Sequence, residues 1–405
     1  MQSLTRRQFL QFSALTGVGL SISACQPIRR PEELSQSSAA TVADRRSAAV
    51  AQAVQTALET HKIPGLAVAI VQDNELVYAN GFGVRNLDTG APMTATSVMS
   101  MASISKAFTA TAIMQLVEAG KVDVDEPYVT YVPYFEMEDA RYKMITVRHL
   151  LGHHSGMPEL TPDLFFSEWD DPWFDDEAAE RYARSFKQGV TLNQEPGGDQ
   201  FLYSDFGYDI LADLIHKVSG ELFEDYVKHH IFEPLGMTSS TFLLNEVDSK
   251  QLVAAHVYDD AGNAVVWENF PYDRKHAPSS CLHSTVEDLS RWVLAHLNGG
   301  ERNGKRILQT ASQAQLWERL FDWGGEDLIR GYGWGWWLGE FEGQPLVASF
   351  GAQPGVQTIA ALLPTEGLAV IVLGNLYGSL GAFEDPYYIS EVSSSLLSKL
   401  LRGEI

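Results

Sequence analysis

Apolar positions recur at helical spacing over residues 44–60, which predicts a helix there. An almost unbroken apolar run, residues 65–71, comes next, and residues 76–79 repeat that character beyond Asp73-Asn74. Two apolar runs across such a pair predict a β-hairpin. Residues 107–117 read as a helix, and the pattern from about 147 to 292 is mostly helical with long loops. The chain then returns to strands. Residues 345–350, 356–363 and 368–373 are apolar and β-branched, separated by Pro-Gly and Pro-Thr-Glu-Gly turns, and 388–401 reads as a last helix. Strands near both ends of the chain with helices between them predict an α/β (α+β) fold. An antiparallel sheet would be built from N- and C-terminal segments and flanked by helices, with a mostly helical domain, roughly 147–292, inserted.

The first residues stand outside this pattern. Arg6-Arg7 ahead of an apolar stretch at 12–22 is similar to a twin-arginine export signal, and the stretch is too short for a membrane span. Ile22-Ser-Ala-Cys25 resembles a bacterial lipobox, which would make Cys25 the lipidated first residue of the mature chain. The expected division is an export signal with lipobox at 1–24, a Pro-, Ser- and Glu-rich tether at 25–40, and one domain at 41–405. The expected location is the bacterial cell envelope, on its periplasmic side, with the membrane as a partner through the Cys25 anchor. With Cys25 lipidated, Cys281 is the one remaining cysteine, so no intramolecular disulfide can form, and it reads as a small buried residue. A net charge of −23 over 405 residues excludes nucleic acid as an expected partner.

Candidate chemistry centres on Ser103-Ile104-Ser105-Lys106, which occurs once. Residues i and i+3 share a helix face, so the Lys106 amine can reach the Ser103 hydroxyl and serve to activate it. The helix N-terminus adds partial positive charge where an oxyanion would form. Two rival constellations are weaker. His149, His153 and His154 suggest a metal site but lack a nearby acidic ligand. A Ser-His-Asp triad lacks a Gly-x-Ser-x-Gly elbow, and the last histidine, His296, precedes the C-terminal strands. The acidic, aromatic stretch 167–180 reads as a solvated loop capping a helix rather than a substrate rim. Trp334, Trp336 and Trp337 are expected in the core or the cleft wall.

Tyr203-Ser204-Asp205 lies one hundred residues past the serine, and Ser349-Phe350-Gly351 much later. With Val147-Arg-His-Leu-Leu-Gly-His-His-Ser-Gly156 and Gly331-Tyr-Gly-Trp-Gly335, these segments resemble the serine β-lactamase-related superfamily over nearly the whole domain. That superfamily includes class C β-lactamases, DD-carboxypeptidases and β-lactamase-fold esterases. The resemblance implies a Ser103 acyl-enzyme, with Lys106 and Tyr203 as base or proton relay, in either order. It implies an oxyanion hole from the backbone N–H groups of Ser103 and Ala352, substrate contacts at Asp205, Ser349 and Gly351, and neither cofactor nor metal. It also places the stretch with His149, His153 and His154 in a structural loop-helix, which implies core or capping residues there. Two positions depart from the usual pattern. Asp205 stands where an Asn is common; a carboxylate beside Lys106 would oppose its use as a base, so Asp205 is expected to point away or to pair with a cationic substrate group. Ser349 stands where a Lys or His commonly grips a substrate carboxylate. The expected function is therefore an exported serine hydrolase acting on an ester or a small amide or peptide. The alternatives are a β-lactamase or DD-peptidase proper, and a catalytically degenerate envelope scaffold of the same fold.

Overall fold

The computed structural model describes residues 31–159, 172–268, 272–325, 328–379 and 388–405, with side chains from residue 45 onwards. Its centre is a sheet of nine antiparallel strands: β1 (Gly65–Gln72), β2 (Glu75–Asn86), β3 (Ala91–Pro92), β4 (Phe321–Asp322), β5 (Ile329–Tyr332), β6 (Trp337–Phe341), β7 (Gln344–Gln353), β8 (Val356–Leu363) and β9 (Leu368–Gly374). Their spatial order is β4-β5-β6-β7-β8-β9-β1-β2-β3. The chain's two ends meet in the middle, where β1 pairs with β9 in the register Leu66↔Gly374 to Val71↔Ala369.

The unbroken apolar character of β1 has a direct cause. Leu66, Val68 and Ile70 enter one core, while Ala67, Ala69 and Val71 enter the other. A strand covered on both faces has no polar side, so alternation disappears. The hairpin to β2 turns at Asp73 and Asn74, both with positive φ (53° and 62°), as a two-residue connection between right-twisted strands requires.

Seven helices frame the sheet and the cleft beside it: α1 (Pro31–His61), α2 (Ser105–Glu118), α3 (Val147–Leu151), α4 (Asp205–Asp209), α5 (Ala277–Ser280), α6 (Val286–Leu297) and α7 (Tyr388–Leu401). On one face of the sheet, α1 and α7 supply Val50, Val54, Val392 and Leu396. On the other, α2 and α6 pack against the sheet through stacked Phe108, Trp292 and Trp336. The segment between β3 and β4 leaves the sheet and carries α2 to α6.

Three features differ from the sequence pattern. α1, described over Pro31–His61, takes in residues 31–40 of the stretch expected to be a tether. Strands β4 to β6 carry Gly, Trp and Arg rather than alternating β-formers, so the pattern predicts no strand there, and neighbouring strands specify them instead. β7 runs on to Gln353, because β8 continues to pair with it through Val356. In the acidic stretch, residues 167–171 lie outside the described residues; beyond them Asp175 accepts the Glu177 N–H and pairs with Arg181 (2.8 Å) ahead of helix Ala178–Ser185.

Leu396 is fully buried between α7 and the sheet. Replacing it with Ala should cost about 2–5 kcal/mol through lost burial and a residual cavity, read as a lowered midpoint in thermal or urea unfolding.

Candidate active site

Ser103 sits in a single 3₁₀ turn, Ala102–Ile104, that runs into α2. The expected helical face is therefore a tighter turn, in which residues i and i+3 eclipse and Ser103 still faces Lys106. Ala102 just before it holds φ 45°, a left-handed conformation that costs a non-glycine residue energy and persists only where its surroundings enforce it. Those surroundings are visible. The Met101 N–H donates to Leu282 O (2.7 Å), the Thr358 hydroxyl donates to Met101 O (2.8 Å), and the Ser105 hydroxyl donates to Ala102 O (2.7 Å).

Lys106 is buried, with 1% of its surface exposed. Its Nζ donates to Ser103 Oγ (3.1 Å), Asp205 Oδ1 (2.5 Å) and the Ser279 carbonyl in α5 (3.0 Å). Three acceptors match the three N–H donors of an ammonium. Asp205 thus does not point away: it pairs with the site's own lysine. The reason is local and electrostatic. Ser204 caps α4 by accepting the Gly207 N–H, which sets the direction of Asp205 at the first helical position, and a buried amine needs an anionic acceptor.

Tyr203 stands beside this pair, its ring centroid 4.8 Å from Lys106 Nζ. Trp337 stacks on it at 6.0 Å and His153 lies against it at 4.3 Å. Strand β7 closes the site from the sheet. Ser349 and Gly351 share one face by strand alternation, while Phe350 on the other stacks on Trp337 at 4.9 Å. A Cβ on Gly351 would lie 2.3 Å from Met101 O and 2.7 Å from the Ser103 nitrogen, so only glycine lets the strand approach the serine turn this closely. Ala352 follows on the same strand. Ser349 is buried, with no cation in its place.

Sequence reasoning misses Glu159. It is half-buried, and burial raises its pKa, with the charge of Asp205 adding to the rise. Only proximity to Asp205 marks it; nothing in its own segment does. The three histidines have separate tasks. His149 closes a capping box with Thr146 at the start of α3, His153 is enclosed beside Tyr203, and His154 packs edge-on against Phe321. Burial lowers the pKa of each, and no metal-ligand cluster occurs among the described residues. Burial pushes the Cys281 thiol up, away from reactivity. Trp334 and Trp336 are core, and Trp337 is wall.

The Beta-lactamase family model matches residues 50–393. The chain belongs to the beta-lactamase family. Members of this family are serine hydrolases, and the buried lysine, the serine turn and the glycine approach lie within the matched region. Penicillin-binding protein 4 of Amycolatopsis lactamdurans is 29% identical over 341 residues, covering 79% of this chain and 85% of that protein. The octameric penicillin-binding protein homologue from Pyrococcus abyssi superposes with a TM-score of 0.71 at 29% identity, over 87% of this chain and 77% of that one. The D-amino acid amidase of Ochrobactrum anthropi SV3, solved with L-phenylalanine amide, shares the fold at 23% identity and a TM-score of 0.71, over 88% and 100% of the two chains.

For this beta-lactamase-family site, Gly351→Ala should lower the rate of Ser103 labelling by a fluorophosphonate at least about tenfold, because the displaced strand takes the serine turn with it. Gel-based labelling over time, beside a thermal melt, reads it.

Proposed function

We propose that the protein hydrolyses small amine-bearing amides or esters through a Ser103 acyl-enzyme. The observation that carries this reading is the Lys106 amine held between Ser103 Oγ at 3.1 Å and Asp205 at 2.5 Å, in a site that offers no cation at position 349. With its three donors engaged, Lys106 acts as the fixed positive charge. Tyr203, over which that charge stands, is the proton carrier. Tyr203 works as the phenolate, stabilised by the Lys106 charge: Ser103 Oγ attacks the substrate carbonyl as its proton passes to the phenolate oxygen, giving the neutral phenol, and the tetrahedral oxyanion takes the backbone N–H groups of Ser103 and Ala352. Collapse breaks the bond to the leaving amine or alcohol, which receives the proton from Tyr203. Water then attacks the acyl-enzyme by the same path reversed, releasing the acid and restoring Ser103.

Electrostatics favours the substrate class. A β-lactam or a D-alanyl peptide brings a carboxylate, which here meets Asp205 and Glu159 in place of a gripping lysine or histidine. A protonated substrate amine meets those same carboxylates favourably. The amidase that shares this fold is named for D-amino acid amides, which carry such an amine. The likeness to penicillin-binding protein 4, named for binding penicillin, favours the second reading, a penicillin as substrate.

A hydrolysis panel decides between them. The kcat/KM for D-phenylalanine p-nitroanilide should exceed that for its N-acetyl derivative by about tenfold or more, the worth of one charge-assisted contact. Nitrocefin should turn over more slowly than either, and Ser103→Ala should abolish all three activities. Equal rates with the N-acetyl derivative, or preferred turnover of nitrocefin, would reverse the assignment.

We also infer export and lipidation at Cys25, on the Arg6-Arg7 and Ser23-Ala24-Cys25 sequences; these residues lie outside the described ones. Expressed in a bacterium, Cys25→Ser should lose incorporated radiolabelled fatty acid and move from the membrane pellet to the soluble fraction. Unchanged partition would rule out the anchor.

A further inference from the structure

Residue 153 is a fully enclosed histidine in the left-handed region, with φ 58°. It lies two residues beyond α3 and touches the Tyr203 segment in three ways. Its carbonyl accepts the Leu202 N–H (3.0 Å), its Nδ1 accepts the Ser204 N–H (3.0 Å), and its ring lies 4.3 Å from the ring of Tyr203. One residue therefore grips the backbone on both sides of the tyrosine and braces its side chain. Because Nδ1 accepts from a backbone amide, the ring proton belongs on Nε2. That nitrogen has no hydrogen-bond partner among the described residues, and the rings of Tyr208 and Tyr332 stand 5.0 and 4.9 Å away.

We infer that His153 is the positioning residue of the acylation step: its Nδ1 and its carbonyl fix Tyr203 against Lys106 and Ser103 by holding the amides of residues 202 and 204. The inference rests on the reading of Tyr203 as proton carrier. Two requirements explain the residue type. The backbone needs a residue tolerant of positive φ, and the Ser204 N–H, buried away from water, needs an acceptor at a fixed distance. Histidine supplies both, and its plane fills the space against the tyrosine. Asparagine also tolerates the left-handed region, and its side-chain oxygen stands about where Nδ1 does. Glutamine carries its oxygen one bond further, where Nε2 stands. Phenylalanine keeps the ring and removes the acceptor.

These differences make the test. Steady-state hydrolysis of a p-nitrophenyl ester is measured for His153→Asn, His153→Gln, His153→Phe and Tyr203→Phe, and for the double variant His153→Gln/Tyr203→Phe, with thermal melts alongside. H153Q and H153F should lower kcat by about tenfold to a hundredfold, the cost of misplacing a reacting group by about 1 Å. KM should stay within about twofold, since substrate contacts are untouched. H153N should keep kcat within about threefold of the wild type, because the bond to Ser204 survives. H153Q should add nothing in the Y203F background, as expected of a residue that acts through Tyr203. Wild-type kcat in H153Q, H153N falling as far as H153Q, or additivity with Y203F would each overturn the inference, and the Asn/Gln comparison holds even if H153F fails to fold. Wild-type kcat in Y203F overturns the reading of Tyr203 and the inference together; an impaired Y203F beside an unimpaired H153Q overturns the inference alone.

Discussion

A lysine amine removed from water must find acceptors in the protein, and the arrangement around Lys106 answers that need. Leaving such a group unpaired at 1% exposure would cost several kcal/mol. Its three acceptors come from three separate stretches: the serine turn, the first residue of α4, and the carbonyl at the end of α5. Each acceptor draws its segment inward, so one buried charge gathers parts of the chain 99 and 173 residues away from it. The same charge stands against Ser103 and over the ring of Tyr203, the two residues on which the proposed chemistry rests.

The sheet provides the opposing surface. Strand β7 reaches the serine turn only because residue 351 has no side chain, and the Thr358 hydroxyl on β8 holds the Met101 carbonyl in the same contact. The strained Ala102 is thus pinned from the sheet side by Thr358 and from the helix side by Ser105 and Leu282. Rigidity here has a functional meaning. A serine on a turn fixed from two directions keeps its oxygen and its backbone N–H in one relation to whatever carbonyl enters the cleft. The sheet can serve in this way because it is covered on both faces, by α1 and α7 on one side and by α2 and α6 on the other.

Asp205 gives the site its departure from the common pattern. Paired with Lys106, it leaves the region with one cation already matched, and Glu159 adds a further carboxylate nearby. Together with Ser349, this pairing is what the proposed preference for amine-bearing substrates rests on. One fold serves many substrates through differences of this kind in its site residues.

Much of this molecule was legible in one dimension. The apolar runs at 65–71, 356–363 and 368–373 are strands because a doubly covered sheet admits only apolar side chains, and their positions near both termini implied a sheet joining the chain's ends. Ser103 and Lys106 were legible because three residues of separation suffice to bring them together on any helical turn. The relations across long separations were not. That Asp205 turns to Lys106, that Glu159 stands near it, that His153 holds both amides beside Tyr203, and that β7 must carry glycine where it meets the serine turn are all facts of close approach. Sequence determined which residues could do chemistry and where the backbone would run. Tertiary structure decided which of them share a buried volume, because burial, charge pairing and steric exclusion act on distances that the order of residues does not contain.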